Sequence, residues 1–70
     1  MRLSARNQLP GTVETVNADA VMAEVVVRLR GGDLVVSAIT AASAKSLGLA
    51  PGRAVTVVVK STEVMLGVSD

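Results

Sequence analysis

Six polar side chains of this 70-residue chain fall into three pairs that are close in sequence. The pairs are Ser4 with Arg6, Thr40 with Ser43, and Lys60 with Ser61. Their guanidinium and ammonium groups only donate hydrogen bonds, and their hydroxyl groups both donate and accept. Donors of this kind, some of them charged, are suited to holding an anion. Taken together, the three pairs favour an oxyanion pocket.

The side chains of this sequence offer little support for catalysis. The chain has no His and no Cys, so nucleophilic catalysis of the Ser-His-Asp or Cys-His kind lacks its base or its thiol. Glu14, Glu24, Glu63 and three Asp stand singly on predicted strands and turns, where carboxylates are usually solvated. The segment "RGGD" (30–33) indicates a hairpin rather than a phosphate-binding loop. We therefore expect a protein that is not an enzyme, with no catalytic cofactor and no metal held directly by protein ligands.

The composition indicates a small β-rich core that needs support from other chains. Half of the residues are hydrophobic, none is aromatic and none is Cys. The core must therefore consist of Val, Ala, Leu, Ile and Met, which suit pleated sheets but bury little area each. A chain of about this length removes only about 60% of its unfolded surface from water. Because disulfides and a zinc site are both excluded, we expect a homo-oligomer.

Charge and hydropathy exclude two further classes of partner. The net charge is +1, so no overall field attracts nucleic acid or anionic lipid. No apolar run approaches the roughly 20 residues needed to span a bilayer, and the first residues lack the apolar region of a signal peptide. Together with the absence of Cys, these features predict a soluble, cytoplasmic protein.

Alternation of apolar and polar residues predicts five strands, with one short helix between the third and the fourth. The predicted strands cover residues 11–18, 20–30, 34–40, 54–60 and 61–68. Thr40 is a suitable N-cap for a helix over 41–47, and Gly48 is a suitable left-handed residue after it. This order of elements predicts an all-β fold, a small five-stranded OB-like barrel that forms a single domain over residues 1–70.

The same alternation predicts which side chains share a face of each strand. On the second strand one face carries Val21, Ala23, Val25, Val27 and Leu29. On the first strand, the alternation places Val13 and Thr15 on one face, with Glu14 and Val16 on the other.

Three segments resemble the signature blocks of the molbindins, in the same order and with matching spacing. They are "SARNQLPG" near the start, "AITAASAKSLGL" in the middle and "VVVKSTEVMLG" at the end. Molbindins are molybdenum-pterin-binding proteins made of a single TOBE or Mop-type domain, which also occurs in molybdate-responsive regulators and transporter subunits. The resemblance covers nearly the whole chain.

The resemblance implies an OB-related barrel whose dimers exchange their first strands and assemble into a hexamer of three dimers. It implies that molybdate or tungstate binds at the subunit interfaces, for intracellular storage, buffering or delivery. Carried over residue by residue, the family's contacts fall on Ser4, Arg6, Thr40, Ser43, Lys60 and Ser61, with backbone groups of Ala5, Asn7 and Val59 as further candidates. We expect Asn7 and Gln8 to support the N-terminal segment through hydrogen bonds rather than to touch the ligand.

A pocket lined by hydrogen-bond donors also has a preference among oxyanions, which follows from its chemistry alone. All oxygens of molybdate are acceptors at neutral pH, whereas phosphate keeps at least one proton and needs an acceptor from the protein. Donors therefore favour a fully deprotonated oxyanion. Two alternatives remain open. One is a purely structural assembly module, and the other is a nucleic-acid-binding barrel, for which dispersed arginines are present but the aromatic stacking platforms are absent.

Overall fold

A curled, open antiparallel sheet of four strands organises the computed structural model, which describes all residues from Met1 to Asp70. The strands are β1 (Asn7–Ala18), β2 (Met22–Leu29), β3 (Leu34–Thr40) and β4 (Ala54–Val59), in the spatial order β3-β2-β1-β4. A six-residue helix, α1 (Ala41–Ser46), follows β3, and a 3-10 turn (Ser61–Glu63) follows β4. Neither helical segment has the length and apolar character that crossing a membrane requires.

The predicted fifth strand over residues 61–68 is wrong. Its first residues form the 3-10 turn, which is closed by Glu63 N–H donating to Lys60 O at 2.9 Å, and residues 64–70 pair with no strand. Met65, Leu66 and Val68 are 92%, 94% and 89% exposed, so this C-terminal tail packs against nothing in its own chain. Alternation indicates a tendency to form a strand, but a strand also needs a partner for its backbone groups.

The first strand is longer than the sequence predicts. β1 begins at Asn7 rather than at Gly11, because its first half pairs with β4 and its second half with β2. Gly11 belongs to both ladders. A Cβ on Gly11 would lie 2.7 Å from Val27 Cγ1 and 2.9 Å from Arg28 O. The backbones approach so closely here that the position needs a residue without a side chain.

A β-bulge in β1 changes the predicted alternation of buried and exposed side chains. Val13 and Thr15 face consecutive residues of β2, so Glu14 between them has no opposite residue. Beyond this point Val16, and not Thr15, packs with Val13 against the core. The prediction that Val13 and Thr15 share one face is therefore wrong, because the extra residue shifts the period of two by one position.

The core is small and consists of valines at the centre of the sheet. Val13, Val25 and Val27 are at most 4% exposed and form its centre. The partly buried side chains around them are Val16, Leu29, Ile39, Leu49, Val55 and Val57. The predicted inward face of the second strand is confirmed for Ala23, Val25 and Val27, whereas Val21 precedes β2 and is exposed.

The predicted capping residues, Thr40 and Gly48, stand at the two ends of helix α1. Thr40 Oγ1 caps its first turn by accepting a backbone hydrogen bond at 3.0 Å. After the last turn Gly48 has φ +65° and its N–H donates to Lys45 O, while Leu49 N–H donates to Ala44 O, both at 3.0 Å. These two bonds form a Schellman motif, which satisfies the last carbonyl groups of the helix.

Candidate functional site

Two of the three donor pairs meet at the same end of β1. Arg6 directly precedes β1 and Lys60 directly follows β4, and the adjoining residues Asn7 and Val59 are opposite each other in the ladder. The serine of each pair lies within two residues of its basic partner and so joins the same group. We call Ser4, Arg6, Lys60 and Ser61 the strand-end cluster.

The strand-end cluster carries positive charge that no carboxylate of the chain neutralises. The one ion pair of the chain joins Arg28 to Glu14, so Arg6 and Lys60 are both without an acidic partner. All four side chains of the cluster are exposed. Guanidinium and ammonium groups in this state are free to form charge-assisted hydrogen bonds with an anion.

Two amide side chains engage carbonyl oxygens beside the strand-end cluster. Asn7 Nδ2 donates to Val59 O at 3.2 Å, and Gln8 Nε2 donates to Ala5 O at 2.8 Å. Both amides therefore form supporting hydrogen bonds, as predicted, and that neither side chain touches the ligand stays a prediction. The carbonyls of Ala5 and Val59 are therefore acceptors for the chain's own amides.

The third donor pair lies at the other end of β1. Thr40 ends β3 opposite Met22, the first residue of β2, and this end of β2 pairs with Ala18 at the end of β1. Asn7 begins β1 at the strand-end cluster, and no hydrogen bond joins Thr40 or its neighbours to that cluster. Within one chain, the ladder brings together four of the six predicted donors and separates the other two from them.

Thr40 and Ser43 form a small hydroxyl pair at the start of α1. Thr40 Oγ1 accepts from Ser43 N at 3.0 Å and donates its proton to Ser43 Oγ at 2.8 Å. The Ser43 hydroxyl proton is not used by Thr40 and is the one available for a ligand. Because α1 has only six residues, its dipole adds little, and the pair acts through its hydroxyl groups.

An open groove of about 800 Å³ beside β1 and β4 was not predicted from the sequence. Its lining includes Arg28, Arg30, Arg53, Leu29, Leu47 and Leu49, and no acidic residue. The hydrogen bond with Glu14 raises the pKa of Arg28 above its ordinary value, and this arginine is engaged within the chain. The fold brings Arg28, Leu29 and Arg30 next to Leu47, Leu49 and Arg53, which are distant from them in sequence, and no local pattern indicates this. No group of three His, Cys, Asp or Glu side chains is arranged to hold a metal ion.

Comparison with known proteins matches both the sequence and the fold. The TOBE domain matches residues 3–66, a range that includes all six predicted donors. The chain is 48% identical over 66 residues to molybdenum-pterin-binding protein 3 of Clostridium pasteurianum, and this alignment covers 94% of this chain and 97% of that protein.

Two solved structures share the architecture. A molybdate-binding protein from Sporomusa ovata matches with a TM-score of 0.88 and 41% identity, over 94% of this chain and 97% of that chain. The cytoplasmic molybdate-binding protein ModG, solved with molybdate bound, matches with a TM-score of 0.93 and 46% identity, over 99% of this chain and 49% of that chain. The family predicted from the three sequence segments is confirmed. The chain belongs to the TOBE-domain family and, within it, to the molbindins, the small molybdenum-pterin-binding proteins.

Proposed function

We propose that this protein binds molybdate, and also tungstate, and releases it unchanged, in the storage, buffering or delivery of molybdenum in the cytoplasm. The observation that carries the proposal is the strand-end cluster. It combines two basic and two hydroxyl side chains at neighbouring strand ends, without a carboxylate partner. Relatives described as molybdate-binding proteins support molybdate as the anion.

The expected hydrogen-bond free energies are large enough to bind such a ligand. A hydrogen bond to a charged group contributes about 1.5 to 3 kcal/mol net. Five or six such bonds can offset the dehydration of a dianion and leave the roughly 8 kcal/mol that corresponds to micromolar affinity. Because the donors greatly outnumber the free acceptors, a fully deprotonated tetrahedral dianion is favoured over phosphate, which keeps a proton.

We further propose that two subunits complete each site. The strand-end cluster of one subunit would face the Thr40 and Ser43 hydroxyls of a neighbour. This arrangement is supported by the ladder, which keeps the two groups of donors at opposite ends of β1 within one chain. Such a shell contains all six predicted donors, with Thr40 holding the Ser43 hydroxyl in place.

A hexamer of three dimers is the assembly that we propose. Its support is the apolar surface that one chain leaves uncovered. The C-terminal tail is almost fully exposed, Val36 on the edge strand β3 is 62% exposed, and β3 and β4 each have one unpaired edge. Exposed apolar strands with free edges are surfaces that proteins normally cover with another chain.

Isothermal titration calorimetry of the purified protein with molybdate, tungstate, sulfate and phosphate tests this function. We expect a Kd for molybdate and tungstate in the micromolar range or below, and much weaker binding of phosphate. Arg6→Ala removes a charge-assisted hydrogen bond and should raise the Kd for molybdate by at least about tenfold. Arg2→Ala is the matched control, because Arg2 is an exposed arginine of the same N-terminal segment that lies outside the strand-end cluster.

Comparison of the two variants distinguishes binding at the strand-end cluster from attraction of the anion by net charge. An equal loss of affinity in Arg2→Ala and Arg6→Ala would mean that net charge, and not the strand-end cluster, attracts the anion. An unchanged Kd in Arg6→Ala contradicts the assignment of that cluster. Absence of oxyanion binding by the unmodified protein contradicts the proposed function itself.

A further inference from the structure

We propose that Asn7 and Gln8 are positioning residues that determine specificity, because they occupy the carbonyl oxygens beside the strand-end cluster and thereby reject protonated oxyanions. The inference rests on the proposed function. It adds the residues that would set the preference for a fully deprotonated ligand, and these residues themselves do not contact it.

The Val59 carbonyl has both of its lone pairs engaged. Hydrogen-bonded couples alternate along an antiparallel ladder, and Val13 N–H donates to Arg53 O at 2.9 Å. The constant register of β1 and β4 therefore makes Asn7 and Val59 a hydrogen-bonded couple, in which Asn7 N–H donates to Val59 O. Asn7 Nδ2 donates to the same oxygen at 3.2 Å. Since a carbonyl oxygen has two lone pairs, none is left for a ligand.

The Ala5 carbonyl accepts one hydrogen bond from a side-chain amide. Ala5 lies between Ser4 and Arg6, so its oxygen is the backbone acceptor between the two N-terminal donors of the cluster. Gln8 Nε2 donates to this oxygen at 2.8 Å. Gln8 is exposed whereas Asn7 is half-buried, so water can replace the Gln8 amide more easily. We expect Gln8 to have the smaller effect on specificity.

Occupied carbonyls affect protonated and deprotonated oxyanions in opposite directions. A deprotonated oxygen placed near a free carbonyl lone pair is repelled, so covering that lone pair favours molybdate. A protonated oxygen needs an acceptor, and the only acceptors among the side chains of the strand-end cluster are the two serine oxygens. A serine oxygen that accepts from the ligand's O–H can donate its own proton only to another acceptor, so at that ligand oxygen an accepted hydrogen bond replaces a donated one. At that oxygen hydrogen phosphate therefore has a neutral hydrogen bond where molybdate has a charge-assisted one, which is about twice as strong.

Asn7→Val tests the inference, because it removes the amide donor and keeps a side chain that suits a half-buried strand position. The Kd values for molybdate, sulfate and phosphate are measured by calorimetry at one pH. We expect the ratio of the phosphate Kd to the molybdate Kd to fall about tenfold, which corresponds to about 1.4 kcal/mol. The ratio between sulfate and molybdate should stay unchanged, because neither ligand carries a proton.

Asn17→Val is the matched control, since Asn17 is an exposed asparagine at the far end of the same strand. It should leave all three Kd values unchanged. A merely structural loss in Asn7→Val would weaken all three anions equally and leave every ratio as it is, which would overturn the inference.

Gln8→Val keeps the inference testable if Asn7→Val does not fold. Gln8 is exposed, and its replacement should lower the same phosphate-to-molybdate ratio about threefold, as expected for the loss of one weaker hydrogen bond. An unchanged ratio in a folded Gln8→Val protein would then refute the inference. A protein that binds molybdate and phosphate equally well contradicts this inference and the expected weak binding of phosphate, but it leaves molybdate binding itself in place. A protein that binds no oxyanion contradicts the proposed function as well.

Discussion

Two exposed arginines of similar appearance differ in what they can bind. Arg28 donates to the Glu14 carboxylate and to Gly32 O, the latter at 3.2 Å, so it connects the bulge of β1 to the turn between β2 and β3. An anion at Arg28 would have to compete with Glu14. Arg6 has no carboxylate partner and presents its guanidinium to solvent. The presence or absence of an internal partner therefore separates an arginine that stabilises the sheet from one that is available to a ligand.

Gly11 is the residue whose small size the sheet requires most directly. Gly11→Ala would place a methyl group 2.7 Å from Val27 Cγ1 and 2.9 Å from Arg28 O, where backbone must move. We expect the free energy of unfolding, measured with urea at fixed protein concentration, to fall by about 1 to 3 kcal/mol. Gly31→Ala is the control, because nothing lies within 4 Å of a Cβ at Gly31. Equal losses in the two variants would show that close approach at Gly11 is not the cause.

Among the elements, those determined by local chemistry could be predicted from the sequence. The helix α1 follows from Thr40 at its start and Gly48 at its end, and the turn between β2 and β3 has Gly32 at φ +97°, as its Gly-Gly pair indicates. Each of these features depends on residues within a few positions of one another. The three pairs of donors could be picked out from the sequence for the same reason, because the two members of each pair lie within three positions of each other.

Features that depend on a distant partner could not be predicted. The start of β1 at Asn7 requires β4, and the bulge at Glu14 is a property of the register with β2. The fifth strand has the right alternation but no strand beside it in the chain. In the candidate site, the contact of Asn7 with Val59 joins residues 52 positions apart, and no local pattern indicates it.

The turn between β1 and β2 depends on the ionised form of Asp19. Asp19 Oδ1 accepts from Met22 N and Val21 N, both at 2.8 Å, and these hydrogen bonds lower the pKa of Asp19 below its ordinary value of 3.8. A carboxyl group whose pKa is lowered by folding stabilises the protein above its unfolded-state pKa. This stabilisation is lost as the pH falls through the lower, folded-state pKa.

Asp19→Ala should therefore lower the Tm at pH 7, and the difference from the unmodified protein should shrink as the pH falls below about 4. Differential scanning calorimetry at a series of pH values measures this difference. Asp19→Asn keeps an oxygen acceptor without the charge, so its Tm at pH 7 should lie between the other two. A difference that stays constant down to about pH 2 would contradict the role of the ionised carboxylate.

At the scale of the whole molecule, the chain leaves most of its apolar side chains partly or fully exposed. Only 5 of the 70 residues are buried, and the large exposed apolar side chains include those of the C-terminal tail and of Leu34 and Val36 on β3. A core this small stabilises a single chain only weakly. If assembly covers these surfaces and also joins the strand-end cluster to the Thr40 and Ser43 hydroxyls, folding, association and anion binding are coupled.

This coupling predicts how the Tm responds to protein concentration and to ligand. A ligand that binds only the folded, assembled protein stabilises it by about 2.7 kcal/mol per site at a concentration 100 times its Kd. We expect the Tm to rise with protein concentration, and to rise further with saturating molybdate but not with phosphate at the same concentration. Arg6→Ala should melt near the unmodified protein without ligand and should lose most of the shift with molybdate. A Tm that saturating molybdate leaves unchanged would be incompatible with an anion site built by the folded assembly.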